Sequence, residues 1–101
     1  MAVLAIFTGE GFTQPMYEAL RSEVMWETNL AAGALIHACG FDEAGNLHVA
    51  DVWASMDEMN AFVGTRLIPG MTKLGIPIPS VSVFPTYNIN VRSAATQYLL
   101  E

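Results

Sequence analysis

The chain has 101 residues, room for one compact domain and no second. Four Lys and Arg stand against ten Asp and Glu, a net charge of -6. That balance cannot neutralise a phosphate backbone or an anionic bilayer, so neither nucleic acid nor a membrane surface is an expected partner. Charged residues make up only 14% of the chain and hydrophobic ones 52%. Small domains, with much surface for their volume, should be more polar than average. The shortfall predicts that part of the surface is buried against a second copy, most simply in a two-fold homodimer.

Residues 2–8 are short, apolar and partly β-branched, and Gly9-Glu10-Gly11 ends them; they read as a buried strand. The same stretch lacks a basic flank, so it is not a signal peptide, and a cytoplasmic protein is expected. Thr13 can cap a helix that tolerates Pro15 in its first turn. Tyr17, Leu20 and Val24 keep helical period on one face, and the pattern runs to about Asn29. Residues 34–41 and 47–54 are strand-like runs around a loop with Gly45 and Asn46, a β-hairpin signature.

Ser55 and Glu58 have capping-box spacing and open a second helix with Met59, Phe62 and Val63 inward. Pro69 breaks that helix or opens a short turn, and Gly75 suits its C-terminal end. A proline-containing link leads to a last strand over 81–91, where Pro85 marks a bulge or an edge. The order β-α-β-β-α-β predicts an α+β, ferredoxin-like fold over 1–91: a four-stranded antiparallel sheet with helices on one face. The other face is left bare to dimerise into a barrel. Residues 92–101 form a tail, either a short helix or a disordered end.

If Phe41 and Leu47 close the hairpin loop, Cys39 faces Val49, His37 faces Asp51 and Leu35 faces Trp53. Opposed residues share a face about 5 Å apart at Cβ. One face then mixes an indole with a His–Asp pair, which suits a lined cavity under the helices. The other, with Ile36, Ala38, Ala50 and Val52, suits close stacking against a partner. A carboxylate on one imidazole nitrogen fixes the tautomer and raises basicity, as a general base requires. The same pair can equally be structural, with His37 satisfying an inward Asp51.

Trp53 reads as core filler or as a pocket wall, Cys39 as an inert buried thiol, and His48 as a residue without a partner. Met16, Met25, Met56, Met59 and Met71 can line an adaptable cavity or fill a core. There is no phosphate-binding glycine loop, no GxSxG elbow and no HExxH. With one cysteine, and His37 and His48 on opposite faces, neither a metal nor any other cofactor is expected.

Gly33-Ala34-Leu35-Ile36-His37-Ala38, Asp51-Val52-Trp53-Ala54-Ser55, and Phe62 with Arg66-Leu67-Ile68-Pro69 resemble the dimeric α+β barrel superfamily. Within it, the chain looks most like small stand-alone proteins related to the antibiotic-biosynthesis monooxygenases, over about residues 2–90. The resemblance implies a homodimer with a cavity in each subunit between sheet and helices. Cofactor-free oxygenation, haem degradation, cyclisation, isomerisation and plain binding all occur on that scaffold. Trp53-Ala54-Ser55 is similar to the haem-degrading branch, but residues 56–74 lack the histidine that ligates haem there.

Two functions follow as expectations. One is a cofactor-independent enzyme, monooxygenase-like or an isomerase or cyclase, on a small apolar or aromatic molecule. His37 would be its base and Asp51 its orienter, with Trp53, Leu35, Tyr87 and Phe62 packing the substrate. The other is a non-catalytic homodimer that binds a small molecule or is simply packed.

Overall fold

The computed structural model describes residues 1–100. Its elements run β1 (Val3–Gly9), α1 (Gln14–Val24), β2 (Ala34–Phe41), β3 (Leu47–Trp53), α2 (Met56–Phe62), α3 (Ile68–Leu74) and β4 (Ser80–Pro85). The strands form one antiparallel sheet in the order β2-β3-β1-β4. This is the expected ferredoxin-like arrangement. Along β1 and β3 burial alternates with strand period: Val3, Ala5, Phe7, Leu47, Val49, Asp51 and Trp53 lie under the helices. The opposite face is the more exposed one, with Ile6 at 37% and Phe84 at 52%.

The core joins that sheet face to Tyr17, Leu20 and Val24 of α1 and to Met59 and Met71 of the second helical arm. Gly70 allows the arms to approach, because a Cβ there would meet Val24 Cγ2 at 2.9 Å. Ser55 caps α2: its Oγ accepts from the Glu58 N–H at 3.1 Å and donates to Glu58 Oε1 at 2.9 Å. Among the described residues, no helix is long and apolar enough to cross a membrane.

Three local expectations need correction, and one pair of alternatives is decided. Helix α1 stops at Val24 instead of near Asn29, because Met25 turns left-handed (φ 59°) and its N–H closes on the Arg21 carbonyl. Of the two readings of Pro69, the opening of a helical turn is the one that holds. The proline sits in the first turn of α3, and a π turn over Val63–Leu67 widens the helix just before it. Strand β4 ends at Pro85 instead of reaching residue 91; beyond it, the Thr86 N–H still donates to the Ala2 carbonyl at 2.9 Å. Finally, the hairpin register slips between Ala34 and Ile36: Ala34, not Leu35, pairs with Trp53. In the tail, Ser93–Tyr98 form a 3-10 turn. Glu101, its last residue, lies outside the described residues.

Candidate functional site

From Phe41↔Leu47 through Cys39↔Val49 to His37↔Asp51, the hairpin register places the two polar side chains opposite each other on the helix-covered face. Ala5, wholly buried on the neighbouring strand, pairs with Asp51 and leaves room beside its carboxylate. The carboxylate is satisfied at both oxygens. Oδ1 takes His37 Nδ1 at 2.7 Å, and Oδ2 accepts a longer bond from Trp53 Nε1–H at 3.3 Å. An ionised carboxylate only accepts, so His37 carries its proton on Nδ1.

The other imidazole nitrogen is also engaged. His37 Nε2 lies 2.7 Å from the Tyr17 hydroxyl, and the two rings are nearly parallel, at 6°. With Nδ1 protonated, Nε2 is an acceptor and the phenol donates. Burial holds the Tyr17 phenol well above its ordinary value of 10.0, so it keeps its proton at neutral pH. The contacts form one directed chain: Tyr17 O–H to His37, His37 N–H to Asp51, and Trp53 N–H to the same carboxylate.

Beside this chain lies a cavity of about 330 Å³, bounded by the sheet, by α1 and by the second helical arm. That is the lower end of the roughly 300–1,000 Å³ usual for ligand pockets. Its wall is mostly apolar: Phe7, Phe12, Leu20, Trp26, Val49, Phe62, Leu67 and Met71, interrupted by Tyr17, Glu27, His37 and Asp51. Phe62 stacks at a tilt on Trp53, with 5.3 Å between ring centroids, and the Arg66 guanidinium sits 5.1 Å from the Phe62 centroid. Arg66 also donates to the carbonyls of Val24 (2.9 Å) and Asn29 (2.6 Å). It thereby ties down the loop after α1 that brings Trp26 and Leu30 to the cavity. The tail reaches the cavity too: Leu99 lines it, and Arg21 Nη2 donates to the Leu100 carbonyl at 3.3 Å.

Of the residues singled out in the sequence, His37, Asp51, Trp53, Phe62 and Leu35 border this cavity. Leu35 does so from the irregular residue of β2 and is half-exposed, not opposite Trp53. Tyr87 is fully exposed at 103% and does not line this cavity, because β4 has ended before it. His48 has a partner after all: its Nε2 contacts Asp42 Oδ2 at 2.9 Å on the open face. Of the methionines, Met59 and Met71 are buried, whereas Met25 and Met56 are exposed.

Burial raises the Cys39 thiol above its ordinary 9.0, which leaves it protonated at neutral pH. Among the described residues, no group of three or more His, Cys, Asp or Glu side chains could hold a metal ion. Tyr17 and Trp26 escaped the sequence reading. Tyr17 has the spacing of an ordinary core residue, and only its need for a buried hydroxyl partner set it apart. Trp26 lies beyond the helix, where periodicity carries no information.

No protein-family model matches the chain, and no curated protein matches it in sequence. Solved structures do match in shape. A conserved protein of Methanosarcina mazei is 8% identical with a TM-score of 0.65, over 86% of this chain and 94% of the other. SnoaB of Streptomyces nogalater, a cofactor-independent oxygenase, is 11% identical with a TM-score of 0.63, over 87% and 94%. A Chloroflexus aurantiacus protein, provisionally described as an antibiotic biosynthesis monooxygenase, is 13% identical with a TM-score of 0.63, over 91% and 100%. The chain shares its ferredoxin-like α+β fold with these structures, antibiotic-biosynthesis-monooxygenase-like proteins among them. At these identities the likeness is one of fold.

Proposed function

We propose that the cavity is the active site of a cofactor-independent, monooxygenase-like enzyme acting on a small apolar or aromatic molecule with an acidic C–H. The observation that carries this reading is an imidazole, held through Nδ1 by a buried carboxylate, at the border of an apolar cavity large enough for a small ligand. The oxygenase activity stated for SnoaB, on the same fold, agrees with it.

In this reading, the substrate packs against Trp53 and Phe62 and gives its proton to the His37 system. Asp51 stabilises the imidazolium that forms. The carbanion passes one electron to O2, the radical pair closes a C–O bond, and loss of water from the hydroperoxide leaves a carbonyl. An isomerase or cyclase would reprotonate the same carbanion. No residue need bind oxygen; the chain handles the proton and excludes water. The reading includes a homodimer through the open sheet face, where Ile36, Ala38, Ala50 and Val52 lie beside the exposed Ile6 and Phe84.

The test uses anthrone as probe, each turnover consuming one O2 and releasing one water to give anthraquinone. Oxygen uptake should exceed the buffer rate, and His37→Ala should lower the enzymatic part by about 10²–10⁴. An unchanged rate in a folded His37→Ala protein sinks the proposal. One observation favours binding without catalysis: both imidazole nitrogens already have partners within the chain. A protein that binds anthrone yet leaves its oxidation at the buffer rate would fit that second reading.

A further inference from the structure

The closed Tyr17–His37 contact bears on which atom meets the substrate. A base needs a free lone pair, and His37 has none: Nδ1 carries the proton it donates to Asp51, and the Tyr17 hydroxyl covers the lone pair of Nε2, each contact at 2.7 Å. For the imidazole to act directly, Tyr17 would have to leave. Its ring is buried, packed at a tilt on Trp26 (5.5 Å between centroids) and edge-on to Phe41 (6.0 Å). A side chain so enclosed does not swing aside without opening the core. Tyr17 itself lines the cavity.

We propose that the Tyr17 hydroxyl oxygen is the atom that takes the substrate's proton, while its own proton passes to His37 Nε2. This inference rests on the enzyme reading above and adds Tyr17 to it as a catalytic residue. In the step, the substrate C–H bond breaks and its electron pair stays on the substrate as an enolate. A new O–H bond forms on Tyr17 as the old one is given to Nε2. His37 becomes an imidazolium between a neutral phenol and the Asp51 carboxylate, and Tyr17 never exists as a free phenolate. That matters because burial makes a free phenolate costly here. The relay requires a ligand whose acidic C–H is conjugated with an oxygen that can carry the enolate charge, a ketone or a phenol tautomer.

The experiment follows proton removal alone, without oxygen: release of tritium from anthrone labelled at C10, measured anaerobically in H2O and in D2O. The relay moves the Tyr17 hydroxyl proton, which exchanges with solvent, in the same step that breaks the C–H bond. Release by the wild-type protein should therefore be slower in D2O. Direct attack by Nε2 moves no solvent-derived proton and should show no such slowing. Tyr17→Phe and His37→Ala should each lose about 100-fold or more, and the double variant should be no slower than either single one. Near-UV circular dichroism establishes that the variants are folded, and the solvent comparison needs no variant. Wild-type acceleration with equal rates in both solvents and full activity in Tyr17→Phe would overturn the relay and leave His37 as the direct base. No acceleration by the wild-type protein would overturn the enzyme reading and the relay with it.

Discussion

The hairpin holds two His–Asp contacts of nearly the same length, one on each face of the sheet. His37–Asp51 spans β2 and β3 under the helices at 2.7 Å, with side chains 37% and 13% exposed. His48–Asp42 joins β3 to the hairpin turn at 2.9 Å, with side chains 51% and 41% exposed. Contact length does not separate them; surroundings do. Asp51 shares its carboxylate with Trp53, whose buried indole N–H depends on it. Asp42 also receives the Asn46 N–H at 2.9 Å, but every one of its partners can turn to solvent. The first pair sits beside the cavity, where unmet hydrogen bonds are costly. The second serves as a clasp on the turn.

The largest break in that comparison should come from Asp51→Ala. Trp53 is 4% exposed, and its indole N–H would be left without an acceptor, while the half-exposed His37 could find water. Truncation should cost about 1–3 kcal/mol, read from the urea midpoint. His37 should also lose its preference for the Nδ1–H tautomer in long-range proton–nitrogen spectra. If stability falls no further than in Asp42→Ala, the difference in surroundings has been overstated.

A smaller but sharper test lies between the two pairs. Ala50 pairs with Ala38 in the hairpin and with Ile6 of β1, on the face that carries His48, opposite the one under the helices. If that face is the contact between subunits, Ala50→Glu should dissociate the protein in light scattering, or unfold it. A dimer with Ala50→Glu in place would move the interface elsewhere.

The fold was legible because period, caps and turns agreed along the chain. Alternation in 47–53, the Ser55–Glu58 spacing and the Gly45-Asn46 loop each pointed to the same topology. The His37–Asp51 pairing was legible because a hairpin fixes register once its loop length is right. The failures are of another kind. Leu35 was misplaced by an irregularity between Ala34 and Ile36, which strand periodicity cannot announce. Tyr87 lies past the end of β4 at Pro85, which residue pattern does not mark, and the partner of His48 lies in a turn, outside any strand register. Tyr17 looked like core, and it is core; its hydroxyl partner comes from an element distant in sequence.

The smallest expected effect belongs to the exposed pair, and pH exposes it best. The His48 contact, helped by the Asn46 N–H, holds the Asp42 carboxyl below its ordinary 3.8. A carboxyl lowered in the folded state contributes stability that is complete above 3.8 and disappears as pH falls through the lowered value. Asp42→Asn should therefore be slightly less stable than the wild type at pH 7. The two unfolding midpoints should converge on acidification, once Asp42 is protonated in both states. Added salt should shrink the neutral-pH difference, because both partners are exposed. A difference that persisted unchanged into acid would mean that Asp42 acts through its turn geometry alone. The two pairs would then differ in kind, with charge important only on the covered face.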